Sequence, residues 1–183
     1  GANGGLLGSM LVSVDAGDEV LVPNPGFPTY KAITSLAGAH PVCYPMSADD
    51  SFRFSVDALE KLITKKTRAV VINSPSNPTG HIIPDSELKG LATLADAHDL
   101  MVISDEVYHE FYYGERCPSF LDVSGRGLVV NSLSKTEAMT GWRIGWTVGP
   151  PEFISAITAV NQHSVTCAPT LSQRVALRTL DAS

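Results

Sequence analysis

Ser132-Leu133-Ser134-Lys135-Thr136-Glu137-Ala138-Met139-Thr140-Gly141-Trp142-Arg143-Ile144-Gly145-Trp146 is the stretch on which the fold turns. An apolar run, Gly127-Leu128-Val129-Val130-Asn131, leads into it, and Trp146-Thr147-Val148-Gly149 leaves it. Both runs read as strands, so a lysine and an arginine lie in a glycine-bounded connection within a sheet. A buried ammonium is costly unless it is paired or neutral. Lys135 is therefore either at the surface or an amine used as a nucleophile. The rest of the chain is organised around it.

Upstream, strands alternate with helical patterns. Strands are expected at 19–23, 40–44, 68–73 and 100–104, and the third is continuously apolar, as in a buried parallel sheet. Helices are expected at about 30–37, and at 55–63 with Ser55 as cap. Another starts at Asp85 as cap, with Leu88, Leu91, Ala92 and Ala95 on one face. Downstream, Phe153, Ile154, Ile157 and Val160 follow Pro150-Pro151 at helical spacing, and residues 171–180 are amphipathic. The opening, Gly1-Ala2-Asn3-Gly4-Gly5, is a glycine-rich turn entering a helix, a place where backbone N–H groups suit a phosphate. This alternation implies an α/β fold, a three-layer α/β/α arrangement with a mostly parallel sheet.

The totals narrow the function. The chain has 183 residues, consistent with one domain, and a net charge of −6 that argues against a nucleic-acid partner. No apolar run approaches a membrane span. The three cysteines, Cys43, Cys117 and Cys167, are scattered, which excludes a paired metal motif and suggests reduced thiols in the cytoplasm. His81, His98 and His109 read as surface or cap residues, and Trp142 and Trp146 as packing. No metal site is expected.

Phe27, Asn77, Asp105 and Lys135 each fall at or just past the C-terminal end of an expected strand. Open parallel sheets bind ligands there. Four loops then bring an aromatic ring, an amide, a carboxylate and an amine to one crevice. Lys135 can form a Schiff base with an aldehyde, and Asp105 can keep a pyridine nitrogen protonated. Asn77 and Tyr108 can bind a phenolic oxygen, Phe27 can stack on a ring, and Ser132, Arg143 and the opening N–H groups can bind phosphate. Pyridoxal 5′-phosphate fits that inventory, and few other ligands do. Singly, these residues have ordinary readings: Asp105 as a helix cap, Arg143 as a sheet-surface partner, the Asn77 loop as a proline-dictated turn.

Asn77-Pro78-Thr79-Gly80, Ser104-Asp105-Glu106-Val107-Tyr108 and Ser132-Leu133-Ser134-Lys135, with Gly141-Trp142-Arg143-Ile144-Gly145, resemble the class I/II aminotransferases, pyridoxal phosphate enzymes of fold type I. Pro23-Asn24-Pro25-Gly26-Phe27-Pro28-Thr29-Tyr30 looks like that family's cofactor-stacking loop. The resemblance implies that Lys135 is the Schiff-base lysine and proton carrier, with Asp105 and Tyr108 as its catalytic partners. Asn77 and Tyr108 would bind the phenolic oxygen. Ser132, Arg143, Ala2 and Asn3 would hold the phosphate, and Phe27 would stack on the ring. Glu137 departs from the family, which more often has an aromatic or neutral residue there. It also implies that residues 1–183 form a large domain truncated at both ends, lacking the small domain whose arginine binds the substrate carboxylate. The intact protein would be a homodimer exchanging amino groups between an amino acid and a 2-oxo acid, with the 183 residues alone inactive or nearly so. A carbon–sulfur lyase of the same fold and a cofactor-sensing domain of a transcription regulator remain as alternatives.

Overall fold

The computed structural model describes residues 1–181. Six strands form one sheet among these residues: β1 (Glu19–Asn24), β2 (His40–Pro45), β3 (Thr67–Asn73), β4 (Met101–Asp105), β5 (Gly127–Ser132) and β6 (Gly145–Val148). Their order across the sheet is β2-β1-β3-β4-β5-β6. All neighbours pair parallel except β5 and β6, which are antiparallel. The helices are α1 (Ala2–Ser13), α2 (Thr29–Leu36), α3 (Val56–Glu60), α4 (Asp85–His98), α5 (Leu133–Thr136), α6 (Pro151–Ser164) and α7 (Thr170–Leu180).

Strand alternation builds the three layers. Val20, Val22, Ala69, Val71, Ile103 and Val130 face Leu6 and Met10 of α1 and Tyr30 and Ile33 of α2. Their strand neighbours Leu21, Val70, Ile72, Val102 and Val129 face the other way, onto Leu59 of α3 and Leu88, Leu91 and Leu94 of α4. With both faces covered, β1, β3, β4 and β5 are apolar almost throughout. The expected fold class and strand positions hold to within a residue or two.

Local differences have local causes. Ser55 does cap α3, accepting from the Ala58 amide at 3.3 Å, but the helix stops at Glu60 rather than Ile63. Asp85 is the first residue inside α4, and its cap position is taken by Pro84, which makes no side-chain cap bond. Trp142 and Trp146 are 38% and 41% exposed, not packed: Trp142 lies in the turn that enters β6, and Trp146 is on β6 itself, an edge strand. His109 is buried, 5% exposed, where a surface position was expected.

Helix α1 lies close against β5 and β6 because Gly5 lets it. A Cβ at Gly5 would stand 2.8 Å from Thr147 Oγ1 and 2.9 Å from Val130 Cγ1. Alanine inside a helix ordinarily stabilises by about 0.5–1 kcal/mol over glycine. Here overpacking outweighs that gain, and Gly5→Ala is expected to destabilise by about 1–2 kcal/mol in urea unfolding. A variant as stable as the parent would show that α1 can back away from the sheet.

Candidate active site

The strands deliver their C-terminal ends to one edge of the sheet, and a cavity of about 250 Å³ opens there. Its walls include all nine residues singled out from the sequence: Ala2, Asn3, Phe27, Asn77, Asp105, Tyr108, Ser132, Lys135 and Arg143. Phe27 lies three residues beyond β1, Asn77 four beyond β3, Lys135 three beyond β5, and Asp105 ends β4. The parallel register aligns Asn73 with Asp105, which sets these loops side by side.

Asp105 is the most constrained of these residues. It is 3% exposed. The Tyr30 hydroxyl donates to its Oδ2 at 2.8 Å, and the Val107 amide donates to Oδ1 at 3.2 Å. Burial pushes the Asp105 carboxyl up to about 6, against the pull of the Tyr30 and Val107 hydrogen bonds, with Glu106 adding a smaller upward push. Tyr30 is itself pushed well above the usual phenol range, first by burial and then by the Asp105 charge.

Asn73 and Tyr30 line the cavity too, and the sequence reading passed over both. Asn73 was read only as the last residue of an apolar strand. Its Nδ2 donates to the Asp105 carbonyl at 2.9 Å and its Oδ1 accepts from the Asn77 amide at 2.7 Å, so one side chain ties two site loops together. Tyr30 was read as a second aromatic of the proline-rich loop. It packs edge-on to Phe27 with ring centroids 5.8 Å apart. The signal available for Asn73 was a polar residue closing an otherwise apolar buried strand.

Lys135 sits on the single turn α5, capped by Ser132, whose Oγ accepts from the Ser134 amide at 3.3 Å. The lysine is exposed to the cavity mouth, and its Nζ lies 5.8 Å from the centre of the Tyr108 ring. Arg143 adopts a left-handed backbone, φ 53°, uncommon for a side chain of its size. That turn brings the guanidinium back to the cavity, where Nη1 donates to the Thr140 carbonyl at 2.7 Å. Gly145 permits the close approach of α1 to β5: a Cβ there would stand 3.1 Å from the Ala2 nitrogen and 2.9 Å from Ser132 Cβ. The start of α1, Ser132 and Arg143 therefore share one corner of the cavity. An amine, a buried carboxylate, a hydroxyl, an exposed guanidinium and a helix N-terminus are thus gathered in one space, a set suited to a ligand with both a cationic ring atom and an anionic group.

The family model described as aminotransferase class I and II matches residues 1–183. The chain belongs to the class I and II aminotransferases. Among aminotransferases of known sequence, it is 40% identical to an aspartate aminotransferase from Pyrococcus abyssi, covering 98% of this chain and 47% of that protein. It is 39% identical to an aromatic-amino-acid aminotransferase from Thermococcus litoralis, again covering 98% of this chain and 47% of that one. The crystal structure of an aspartate aminotransferase from Thermotoga maritima superposes with a TM-score of 0.95 at 35% identity, over 99% of this chain and 49% of that one. The chain spans about half the length of the curated relatives it matches. Among the described residues no helix is long and apolar enough to cross a membrane.

Proposed function

We propose that these residues are the cofactor-binding large domain of a pyridoxal phosphate-dependent aminotransferase. The intact protein moves an amino group between an amino acid and a 2-oxo acid. The observation that carries this reading is the sharing of one cavity by the Lys135 amine and the buried Asp105 carboxylate, from neighbouring strands. The residues fit the cofactor on chemical grounds. A carboxylate so buried lacks a cation among its hydrogen-bond partners, and a protonated ring nitrogen would supply one. Phosphate finds the start of α1 and the Arg143 guanidinium in the same corner.

Pyridoxal phosphate, when bound, supplies an aldehyde that condenses with amines and a ring that draws electrons from the substrate Cα. Asp105 keeps the proton on the ring nitrogen, and the Tyr30 and Val107 donors favour its ionised form for that task. Asn77 and Tyr108 bind the phenolic oxygen. Ser132, Arg143, Ala2 and Asn3 would hold the phosphate, and Phe27 would stack on the ring. Lys135 is the amine that would hold the aldehyde carbon, with water as the leaving group, and, once displaced by the substrate amine, would carry the proton between the substrate Cα and C4′. The reading extends to a homodimer in the cytoplasm, with free thiols at Cys43, Cys117 and Cys167.

The donor is a 2-amino acid. Of the relatives named above, two are aspartate aminotransferases and one is an aromatic-amino-acid aminotransferase, so both kinds of donor belong in the test. The intact protein with pyridoxal phosphate is given aspartate or phenylalanine and a 2-oxo acid acceptor, and the matching 2-oxo acid product is measured. Product from either donor, dependent on the acceptor, is expected. Ammonia and pyruvate released from a sulfur amino acid without any acceptor would instead establish the lyase alternative.

A further inference from the structure

Glu106 and His109 are both buried beside the site, 3% and 5% exposed, and neither takes part in the chemistry above. Successive side chains leave a strand on opposite faces. Asp105 therefore turns toward Tyr30 on the α2 side, while Glu106 turns to the α4 side. There its Oε1 accepts from Ser104 Oγ at 2.9 Å and from the Phe120 amide at 2.9 Å. Its Oε2 lies 3.3 Å from His109 Nδ1.

The donors define the charge state. An amide N–H can only donate, so Oε1 is an acceptor and carries no proton. His109 Nε2 is buried with no hydrogen-bond partner among the described residues. A charged imidazolium would leave an N–H unsatisfied there, which is more costly than leaving a lone pair. The ring is therefore neutral, with its proton on Nδ1 and donated to Glu106. Glu106 is then a carboxylate held by three donors, with no cation among its hydrogen-bond partners in the described residues. The titratable groups that face it are Asp105 at the same strand end, His109 on its own turn, and Cys117 from the segment packed over it, with Glu110 and Arg116 acting on that same thiol.

We propose that Glu106 is a positioning residue for the site: it fixes the turn that aims Asp105 and Tyr108 into the cavity, and its charge deepens the negative field in which Asp105 works. The turn is fastened from behind. The Glu106 amide donates to the Val130 carbonyl at 2.9 Å, and the His109 amide donates to the Glu106 carbonyl at 2.9 Å. The field argument rests on the pyridoxal phosphate reading for the cation that Asp105 receives. A second carboxylate behind Asp105 holds a proton more firmly on whatever base faces Asp105, the ring nitrogen included. Without a ligand, the same charge favours a proton on Asp105 itself, in keeping with the direction of the Glu106 contribution there.

Glu106→Gln separates charge from scaffold. The amide oxygen still accepts from Ser104 and Phe120, and the amide nitrogen can donate to His109 Nδ1 once the neutral ring carries its proton on Nε2 instead. A role confined to scaffolding would leave this variant like the parent. The test is a carbon-13 carboxyl titration of the intact apoprotein, together with pyridoxal phosphate binding by equilibrium dialysis. In Glu106→Gln the Asp105 midpoint is expected at lower pH and pyridoxal phosphate binding about tenfold weaker, the scale of one charge acting through partly dry protein. An unchanged midpoint or an unchanged affinity overturns the proposal. If the parent binds no pyridoxal phosphate, the functional reading falls and the midpoint alone decides the role of Glu106. If the variant does not fold, Glu106→Asp, which keeps the charge on a shorter side chain, decides: an Asp105 midpoint like the parent's supports the proposal, and one displaced to lower pH overturns it.

Discussion

Replacing Lys135 with alanine in the intact protein is expected to end covalent capture of pyridoxal phosphate. Borohydride should leave no label on the variant, and amino transfer should fall by about 10⁴-fold or more, because on the proposed reading one residue acts both as nucleophile and as proton carrier. No neighbour can substitute. The side chains nearest along the loop, Ser132 and Ser134, are hydroxyls, and the Arg143 guanidinium is a donor with no free amine to offer. Lys135 is exposed on the one-turn helix α5, so its loss should change unfolding free energy by less than about 0.5 kcal/mol. A large loss of activity with unchanged stability is thus the signature. Covalent labelling of Lys135→Ala under borohydride would sink the assignment.

Asp105→Asn should move stability and function in opposite directions. The folded apoprotein holds the Asp105 proton with a pKa of about 6, against 3.8 for an unperturbed group. The folded state therefore binds the proton more tightly than the unfolded chain does. Its stability contribution is complete below about pH 4 and is lost as pH rises through about 6. At pH 8 the parent carries a buried charge that asparagine lacks, and the variant apoprotein should be more stable by up to about 3 kcal/mol. Below pH 4 the difference should vanish. With pyridoxal phosphate the order reverses: loss of a charge-assisted hydrogen bond to the ring nitrogen weakens binding by about 10- to 100-fold. Chemical denaturation at pH 4 and pH 8, with and without the cofactor, reads all four cases. An apoprotein destabilised by the substitution at pH 8 would show that the carboxylate is not under strain from its burial.

The sheet was legible because its strands are buried on both faces. Continuous runs such as Val70-Val71-Ile72 can hardly be anything else, and the polar residue that ends each run marks the edge where ligands bind. That is why nine positions chosen from the chain line one cavity. Less visible were roles created only by tertiary neighbours. Asn73 and Tyr30 act on partners 32 and 75 residues away, and no local pattern encodes those meetings. His109 read as a surface or cap residue because nothing local shows that it meets Glu106 in a buried pair. Burial of the pair follows from the segment around Phe120 closing over them. The tryptophans failed in the opposite sense. Trp142 and Trp146 have the size of core residues, but the antiparallel turn into β6 leaves them on an open edge.

The strand order β2-β1-β3-β4-β5-β6 also has a temporal meaning. Once β1 and β2 have paired, every later strand joins the same growing margin in the order in which it is synthesised. No strand must be threaded between two already in place. Each addition still closes a long crossover before its contacts repay the lost chain entropy, so growth is stepwise and slow. The Tyr30–Asp105 bond can form only when β4 docks, and Lys135 arrives one strand later. On the proposed reading, capture of the cofactor therefore waits for β5, and a nascent chain stalled before it would have the anchor for the ring but no amine to fasten it.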